Sequence, residues 1–373
     1  MAVVPQGSPY SSLPKPHFGK LGLGTMTFGS QTSDQSAFEI LDAAIDSAEP
    51  VLIDTAEMYP IYPSAKTHGE SERIIGRFIK SRKCREDVVV ATKVASCNPQ
   101  GVGATRLNWI RSGGETLKYD RKNIASAVHG SLLRLDLDYI DLVQLHWPER
   151  KVPLGDELDI DVSAQAYWTP FEEVLETLKS LVAAGLVRYI GISNETPWGL
   201  SKYLNLSCQA GGPGIAYAQH QYNLLNRTVD IGLAEIAVRE RCPILAYAPL
   251  AGGRLTGKYL DDAKPDGSRY TKWPGPTGRY HNRRVDEAVT KYSEIAVRNK
   301  MSLVELAIGF VLSRPFCAAV IFGARTLSQY LEAKTASQSE LSEDVLIEIE
   351  QVHRSFPNPA VIGAMEVANA SVP

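Results

Sequence analysis

The chain is poor in the features that fix a class at a glance. It has five cysteines, Cys84, Cys97, Cys208, Cys242 and Cys317, an odd number with no CxxC pair. That excludes a disulfide framework and reads as free thiols in a reducing compartment, so a cytoplasmic protein is expected. No His or Cys pair has ligand spacing, so no metal site is expected. No apolar run nears the roughly 20 residues that span a bilayer. The net charge is only -3, which gives no reason to expect nucleic acid or a membrane as partner. The opening stretch, MAVVPQGSPYSSLPKPHFGK, lacks the charged start and apolar middle of a leader and contains no arginine. Residues 1–20 are therefore expected to be a mobile extension. No repeat or linker divides the rest, and nothing fixes a subunit number.

Eight short apolar runs do stand out, over Leu21–Met26, Val51–Thr55, Val88–Val94, Tyr139–Trp147, Arg188–Asn194, Ala216–Asn223, Ile244–Leu250 and Ala318–Gly323. Continuous Val, Ile, Leu and Tyr fits strands buried on both faces. Helical spacing occupies Ser36–Ala48, Glu72–Lys80, Lys122–Leu135, Phe171–Ala184, Glu287–Arg298 and Leu303–Ser313. Asp120 suits an N-cap and Gly185 a C-cap. Eightfold strand–helix alternation allows a doubly wound sheet or a closed barrel. With nothing marking two halves, the expected fold is a (β/α)8 TIM barrel over residues 21–357, with a tail at 358–373. Gly22 and Gly24 begin a dinucleotide fingerprint, but Thr27 stands where its last glycine belongs. Three segments are long for plain connections: Ser96–Tyr119, Glu149–Pro170 and Tyr259–Arg284. All follow strand ends, where barrel enzymes build substrate pockets, and substrate shaping is expected of them.

Three of the runs stop at ionisable residues. VLIDTAEMY carries Asp54 and Tyr59, VVVATK ends at Lys93, and YIDLVQLH ends at His146. Singly, each has a bland reading: a strand-end cap, packing, a solvated lysine, a hydrogen-bonded histidine. Equivalent strand ends would gather them on one rim. A free tyrosine has a pKa of about 10, and a neighbouring ammonium lowers it. Asp54 would hold that ammonium, and His146 would orient a substrate oxygen. Such a set suits an alkoxide forming from a carbonyl, but it has no electron source, so a hydride-donating cofactor is implied.

These residues sit in blocks that resemble the aldo-keto reductases, within them the Tas-like branch. The blocks include LGLGTMTFG (21–29), LIDTAEMYP (52–60), GESERIIG (69–76), SLLRLDLDYIDLVQLHWP (131–148), RYIGISNE (188–195), LAYAPLAGGRLTGKY (245–259) and IFGARTLSQYLEA (321–333). The resemblance implies NADPH/NADP+ as cofactor and a small carbonyl substrate. It makes Asp54, Tyr59, Lys93 and His146 a catalytic tetrad, with Tyr59 the general acid and Lys93 lowering its pKa. It also implies that Thr25 and Met26 at the end of the first strand, and Asp54 itself, line the cofactor site. Ser193, Asn194 and Gln219 would hold the carboxamide, and Tyr247 would stack on the nicotinamide. Ala248, Pro249, Leu250, Gly252 and Lys258 would strap the pyrophosphate. Gly323, Ala324, Arg325, Gln329 and Glu332 would form the adenosine end, with Arg325 on a 2′-phosphate. Met58 and Trp147 are candidate substrate contacts. Ala333 stands where many relatives have Asn, and Ala248 where many have Ser. The same resemblance leaves open a nicotinamide-sensing regulatory subunit with this barrel.

Overall fold

The computed structural model describes residues 15–96, 107–111, 116–153, 168–209, 214–272 and 278–362. Cys97, Tyr167 and Trp273 lie outside them. Eight strands run in chain order: β1 Leu21–Gly24, β2 Val51–Asp54, β3 Val88–Val94, β4 Ile140–Leu145, β5 Val187–Ser193, β6 Tyr217–Gln221, β7 Ile244–Tyr247 and β8 Cys317–Gly323. Each pairs in parallel with the next, and β8 closes on β1. The expected barrel is the observed one.

Several runs extend past their strands. β1 stops at Gly24 rather than Met26, β4 at Leu145 rather than Trp147, and β7 at Tyr247 rather than Leu250. The extra apolar residues belong to the turns that follow the strands, where Met26 and Trp147 pack against the cluster that contains Tyr59. Burial, not pairing, accounts for their character.

Around the barrel lie α1 Asp34–Ile45, α2 Glu70–Arg82, α3 Arg121–Leu135, α4 Phe171–Ala183, α5 Pro197–Gln209 and α6 Leu233–Arg239. Beyond β7 come the single turn α7 Arg269–Lys272, then α8 Arg283–Arg298 and α9 Leu303–Leu312. After β8 come α10 Leu327–Ala336 and α11 Glu343–Ser355. Asp120 caps α3 by accepting from Asn123 N at 2.8 Å, a contact worth about 1 kcal/mol. Gly185 follows α4 with φ +74°, a conformation that favours glycine. α5 escaped the periodicity because Gly199 and Ser207 sit in its buried face, and α6 because it is only seven residues long with two buried.

Strand alternation splits the core in two. Leu52, Ala91, Leu142, Leu245 and Ile321 fill the barrel interior. Ile53, Val90, Val143, Ile190 and Ala246 face the helices. The first described residues close the lower, N-terminal mouth. Phe18 lies 5.3 Å from Tyr217, whose hydroxyl donates to the Pro16 carbonyl at 3.1 Å. The expected mobile extension is therefore packed from Pro16 onward. At the other end of the chain, Ala360 N donates to the Leu225 carbonyl at 3.2 Å.

Candidate active site

The interior changes character towards the upper, C-terminal mouth. Asp54 lies on the same face of β2 as Leu52, Lys93 on that of Ala91, Gln144 on that of Leu142 and Gln219 on that of Tyr217. Lys93 stands opposite Gln144, and Gln144 opposite Gly191. A Cβ on Gly191 would come within 3.0 Å of the Gln144 side chain, so the glycine gives that amide room to cross the barrel. The apolar filling thus ends in a polar layer.

Lys93 is 1% exposed. Its Nζ donates to Asp54 Oδ2 at 2.6 Å and to the Thr55 carbonyl at 2.8 Å. Asp54 Oδ1 accepts from Gln219 Nε2 at 2.8 Å and Gln144 Nε2 at 3.3 Å. A buried charge needs such partners. Burial lowers the Lys93 pKa, and the Asp54 charge opposes that. Above this layer sits Tyr59, with the Lys93 ammonium 5.2 Å from its ring centroid. The His146 ring stands edge-on to it at 5.9 Å. Burial, then the Lys93 charge, hold the His146 pKa far below its usual value, so the imidazole is neutral. Its Nδ1 is buried with no hydrogen-bond partner among the described residues.

The four ionisable residues therefore meet, but the expected acidification of Tyr59 does not hold in the free protein. Burial first, then the charge of Asp54 and the proximity of Tyr247, push its phenol well above 10. The physical reason is local. The phenol is buried, and the Lys93 ammonium is paired with Asp54, whose negative charge itself bears on the phenol and opposes its ionisation.

Of the three side chains expected to hold a carboxamide, Gln219 lies in the polar layer on Asp54, while Ser193 and Asn194 form one chain with Tyr247, the residue expected to stack. Tyr247 Oη donates to Asn194 Oδ1 at 2.8 Å, and Asn194 Nδ2 donates to the His146 carbonyl at 2.8 Å and Ser193 Oγ at 3.0 Å. Thr25 Oγ1 donates to the Asp54 carbonyl at 3.0 Å, and Met26 packs near Tyr59. Past β7, Ala248, Ala251, Gly252, Gly253 and Gly257 all have positive φ. Repeated left-handed residues turn backbone N–H groups into anion-binding concavities. Lys258 Nζ stands 3.2 Å from where a Cβ on Gly253 would lie. Pro249 and Leu250 bury the start of this strap. Across from it, after β8, Arg325 Nη1 donates to the Gly267 carbonyl at 2.9 Å, and Arg325 N to Gln329 Oε1 at 3.0 Å. Ala324 is buried beneath them and Gly323 is open. This donor set, a nest with a lysine and a facing arginine, fits a dinucleotide's phosphates. Glu332 is exposed on α10 with no hydrogen bond or ion pair among the described contacts. Ala333 is fully buried in the helix layer, and no polar contact arises there.

Two arginine–glutamate pairs frame the rim and went unread in the sequence. Arg111, after β3, grips Glu57 at 2.7 and 3.0 Å. Arg150, after β4, grips Glu195 through Nη1 at 3.0 Å and Nη2 at 2.5 Å. Each glutamate lies just beyond a site residue, and each arginine belongs to the next long loop. Their one sequence signal is a carboxylate shortly after a strand end. Gln144 was also missed, although it lies two residues before His146 in the same run.

Among the described residues no group of His, Cys, Asp or Glu could hold a metal ion, and no helix is long and apolar enough to cross a membrane. The model of the Aldo/keto reductase family matches residues 20–354. The chain is 40% identical to "Protein tas" of Escherichia coli (strain K12) over 353 residues, 94% of this chain and 98% of that one. It is 41% identical to an "Aldo-keto reductase" of Babesia bovis over 286 residues, 73% of this chain and 98% of that one. It is 31% identical to "Uncharacterized oxidoreductase YrpG" of Bacillus subtilis (strain 168) over 91% of this chain and 93% of that one. A closed parallel barrel, a polar layer at its upper mouth and matches of this extent agree: the chain belongs to the aldo/keto reductase family, as an oxidoreductase of that family's nicotinamide-using kind.

Proposed function

We propose that this protein reduces aldehydes or ketones to alcohols with NADPH, with Tyr59 as the general acid. The observation that carries this is one rim on which the buried Lys93–Asp54 pair, the Tyr59 phenol and the His146 imidazole meet. Reduced nicotinamide supplies the hydride to the carbonyl carbon. The protein's part is to orient the carbonyl and supply a proton. His146, being neutral, has a ring N–H with which to hold the substrate oxygen. Tyr59 gives its phenolic proton to that oxygen as negative charge builds on it. A raised pKa suits this direction: the phenol keeps its proton at ordinary pH, and an alkoxide is a stronger base still. The tyrosinate left behind faces the Lys93 ammonium, and solvent reprotonates it. The reverse oxidation needs tyrosinate first, so its rate should rise with pH.

NADPH is preferred over NADH in this reading because Arg325 flanks the strap and suits a 2′-phosphate. Leu107, Ile110, Met58 and Trp147 around Tyr59 make the substrate side apolar. Free thiols at the described cysteines accord with a cytoplasmic setting.

Titration with NADPH and NADH, then an aldehyde panel followed at the nicotinamide absorbance, tests the reading. Tighter NADPH binding and steady turnover are expected. Tyr59→Phe should lower kcat/KM by about 10²- to 10⁴-fold, the usual worth of a general acid, with NADPH affinity kept within about twofold. Near-normal turnover in Tyr59→Phe would remove Tyr59 from the role. Tight NADPH binding without turnover in the native protein would favour the regulatory subunit.

A further inference from the structure

The segment after β3 returns to the site in one described turn, Leu107–Arg111. Leu107 and Ile110 are buried against Ala56, Met58 and Tyr59, and Trp109 packs on the same cluster. This turn gives an apolar wall to the cluster that contains the proposed proton donor. Among the described contacts, Ile110 N donates to the Leu107 carbonyl at 3.0 Å. The firm attachment is Arg111, 5% exposed. Its Nη1 and Nη2 fork onto Glu57, and its Nε donates to Asn123 Oδ1 at 3.1 Å. Glu57 is 1% exposed and also accepts from Ala95 N at 2.7 Å through Oε1. Asn123 is itself fixed at the capped start of α3, its Nδ2 donating to Asp120 Oδ1 at 3.0 Å. One guanidinium therefore ties the wall to the β2 turn that bears Tyr59, to the end of β3 and to α3.

We propose that Arg111 is a specificity-determining positioning residue: its fork on Glu57 holds the Leu107–Ile110 wall at a fixed distance from Tyr59, so that ring-bearing apolar carbonyls are selected over small ones. The proposal deepens the carbonyl-reductase reading and rests on it. Arg111 touches none of Asp54, Tyr59, Lys93 or His146 by any described hydrogen bond. Loosening it should therefore move the wall and spare the proton donor. A short aldehyde reaches Tyr59 without leaning on the wall, whereas an aromatic one buries its ring there. Planar, bidentate pairing is what a lysine cannot reproduce.

The test compares the native protein with Arg111→Met and with Glu57→Gln/Arg111→Met, which leaves no unpaired buried carboxylate if the single variant fails to fold. Propionaldehyde and 4-nitrobenzaldehyde are the substrates, with NADPH saturating. In the variants KM for 4-nitrobenzaldehyde should rise about tenfold, while kcat and KM for propionaldehyde stay within about twofold. Arg111→Lys should restore selectivity only in part. Equal changes for both aldehydes, or none for either, would overturn the latch. Binding of 4-nitrobenzaldehyde in the presence of NADP+, which has no hydride to give, is read separately by quenching of tryptophan fluorescence. The variants should bind it about tenfold more weakly, and unaltered binding overturns the proposal. A native protein that turns over neither aldehyde sinks the reductase reading instead, and this binding comparison still decides the latch.

Discussion

At Lys93, burial and charge pull against each other, and the balance decides what a substitution will do. Sequence alone suggests that a methionine there would keep the fold and lose the rate. The structure alters that expectation. Lys93 and Asp54 form a buried pair 2.6 Å apart, so removing the ammonium strands a carboxylate among amide donors. Losing one member of such a pair costs about 3–5 kcal/mol. We therefore expect Lys93→Met to lower both stability and turnover. Lys93→Met/Asp54→Asn removes both charges and should regain most of the stability, read from denaturant midpoints, while kcat stays depressed. Recovery of turnover in the double variant would make the pair a packing feature only. The pair was readable in part from sequence, because each member ends a long apolar run and a buried lysine demands a partner. The amides of Gln144 and Gln219, which complete the hydrogen bonding of Asp54, gave a weaker signal because Gln carries no charge.

At the scale of the element, β6 shows how one strand serves two environments. Gln219 faces inward to Asp54, and by alternation His220 faces the helix layer with Ala218. His220 Nε2 is buried with no hydrogen-bond partner among the described residues. Burial holds its pKa down to about 4, against an ordinary 6.5. Between those values the unfolded chain takes up a proton that the native protein refuses, so stability falls as pH drops through that window. The loss attributable to His220 reaches about 3 kcal/mol near pH 4. His146 and His68 are also held low and act with the same sign. His220→Leu should therefore flatten the fall in stability between pH 7 and pH 4.5, measured by urea midpoints at several pH values. An unchanged slope would show that His220 takes up its proton in the native protein. Elements were legible where periodicity was strong: β3 was read at its observed bounds, because seven buried residues run without a break. The rim pairs were not legible, because Arg111 and Glu57 are 54 residues apart and no local pattern encodes such a contact.

Taken whole, the barrel has one mouth for chemistry and one for closure. The upper mouth carries the ionisable residues and the strap. The lower mouth is sealed by residues before β1: Phe18 rests on Tyr217, Gly19 N donates to the Pro50 carbonyl at 3.0 Å, and Val320 N donates to the Lys20 carbonyl at 2.9 Å. Barrel enzymes keep activity at the C-terminal face and stability at the other, and here the two can be separated by one deletion. Removing residues 1–18 takes away the Phe18 ring and the Pro16 carbonyl that Tyr217 uses. An aromatic pair contributes about 0.5–1.5 kcal/mol beyond burial and a buried hydrogen bond about 1 kcal/mol. With the exposed apolar surface added, a loss of about 2–4 kcal/mol is expected as a lower denaturant midpoint. Because Asp54, Tyr59, Lys93 and His146 stand at the opposite end of the interior, KM and kcat below the unfolding range should stay within about twofold. A truncated protein of unchanged stability would mean that the segment only lies on the surface. A shifted KM would mean that the lower mouth communicates with the site through the apolar layers between, principally Leu52, Ala91 and Leu142, which carry Asp54, Lys93 and Gln144 on the same faces of their strands.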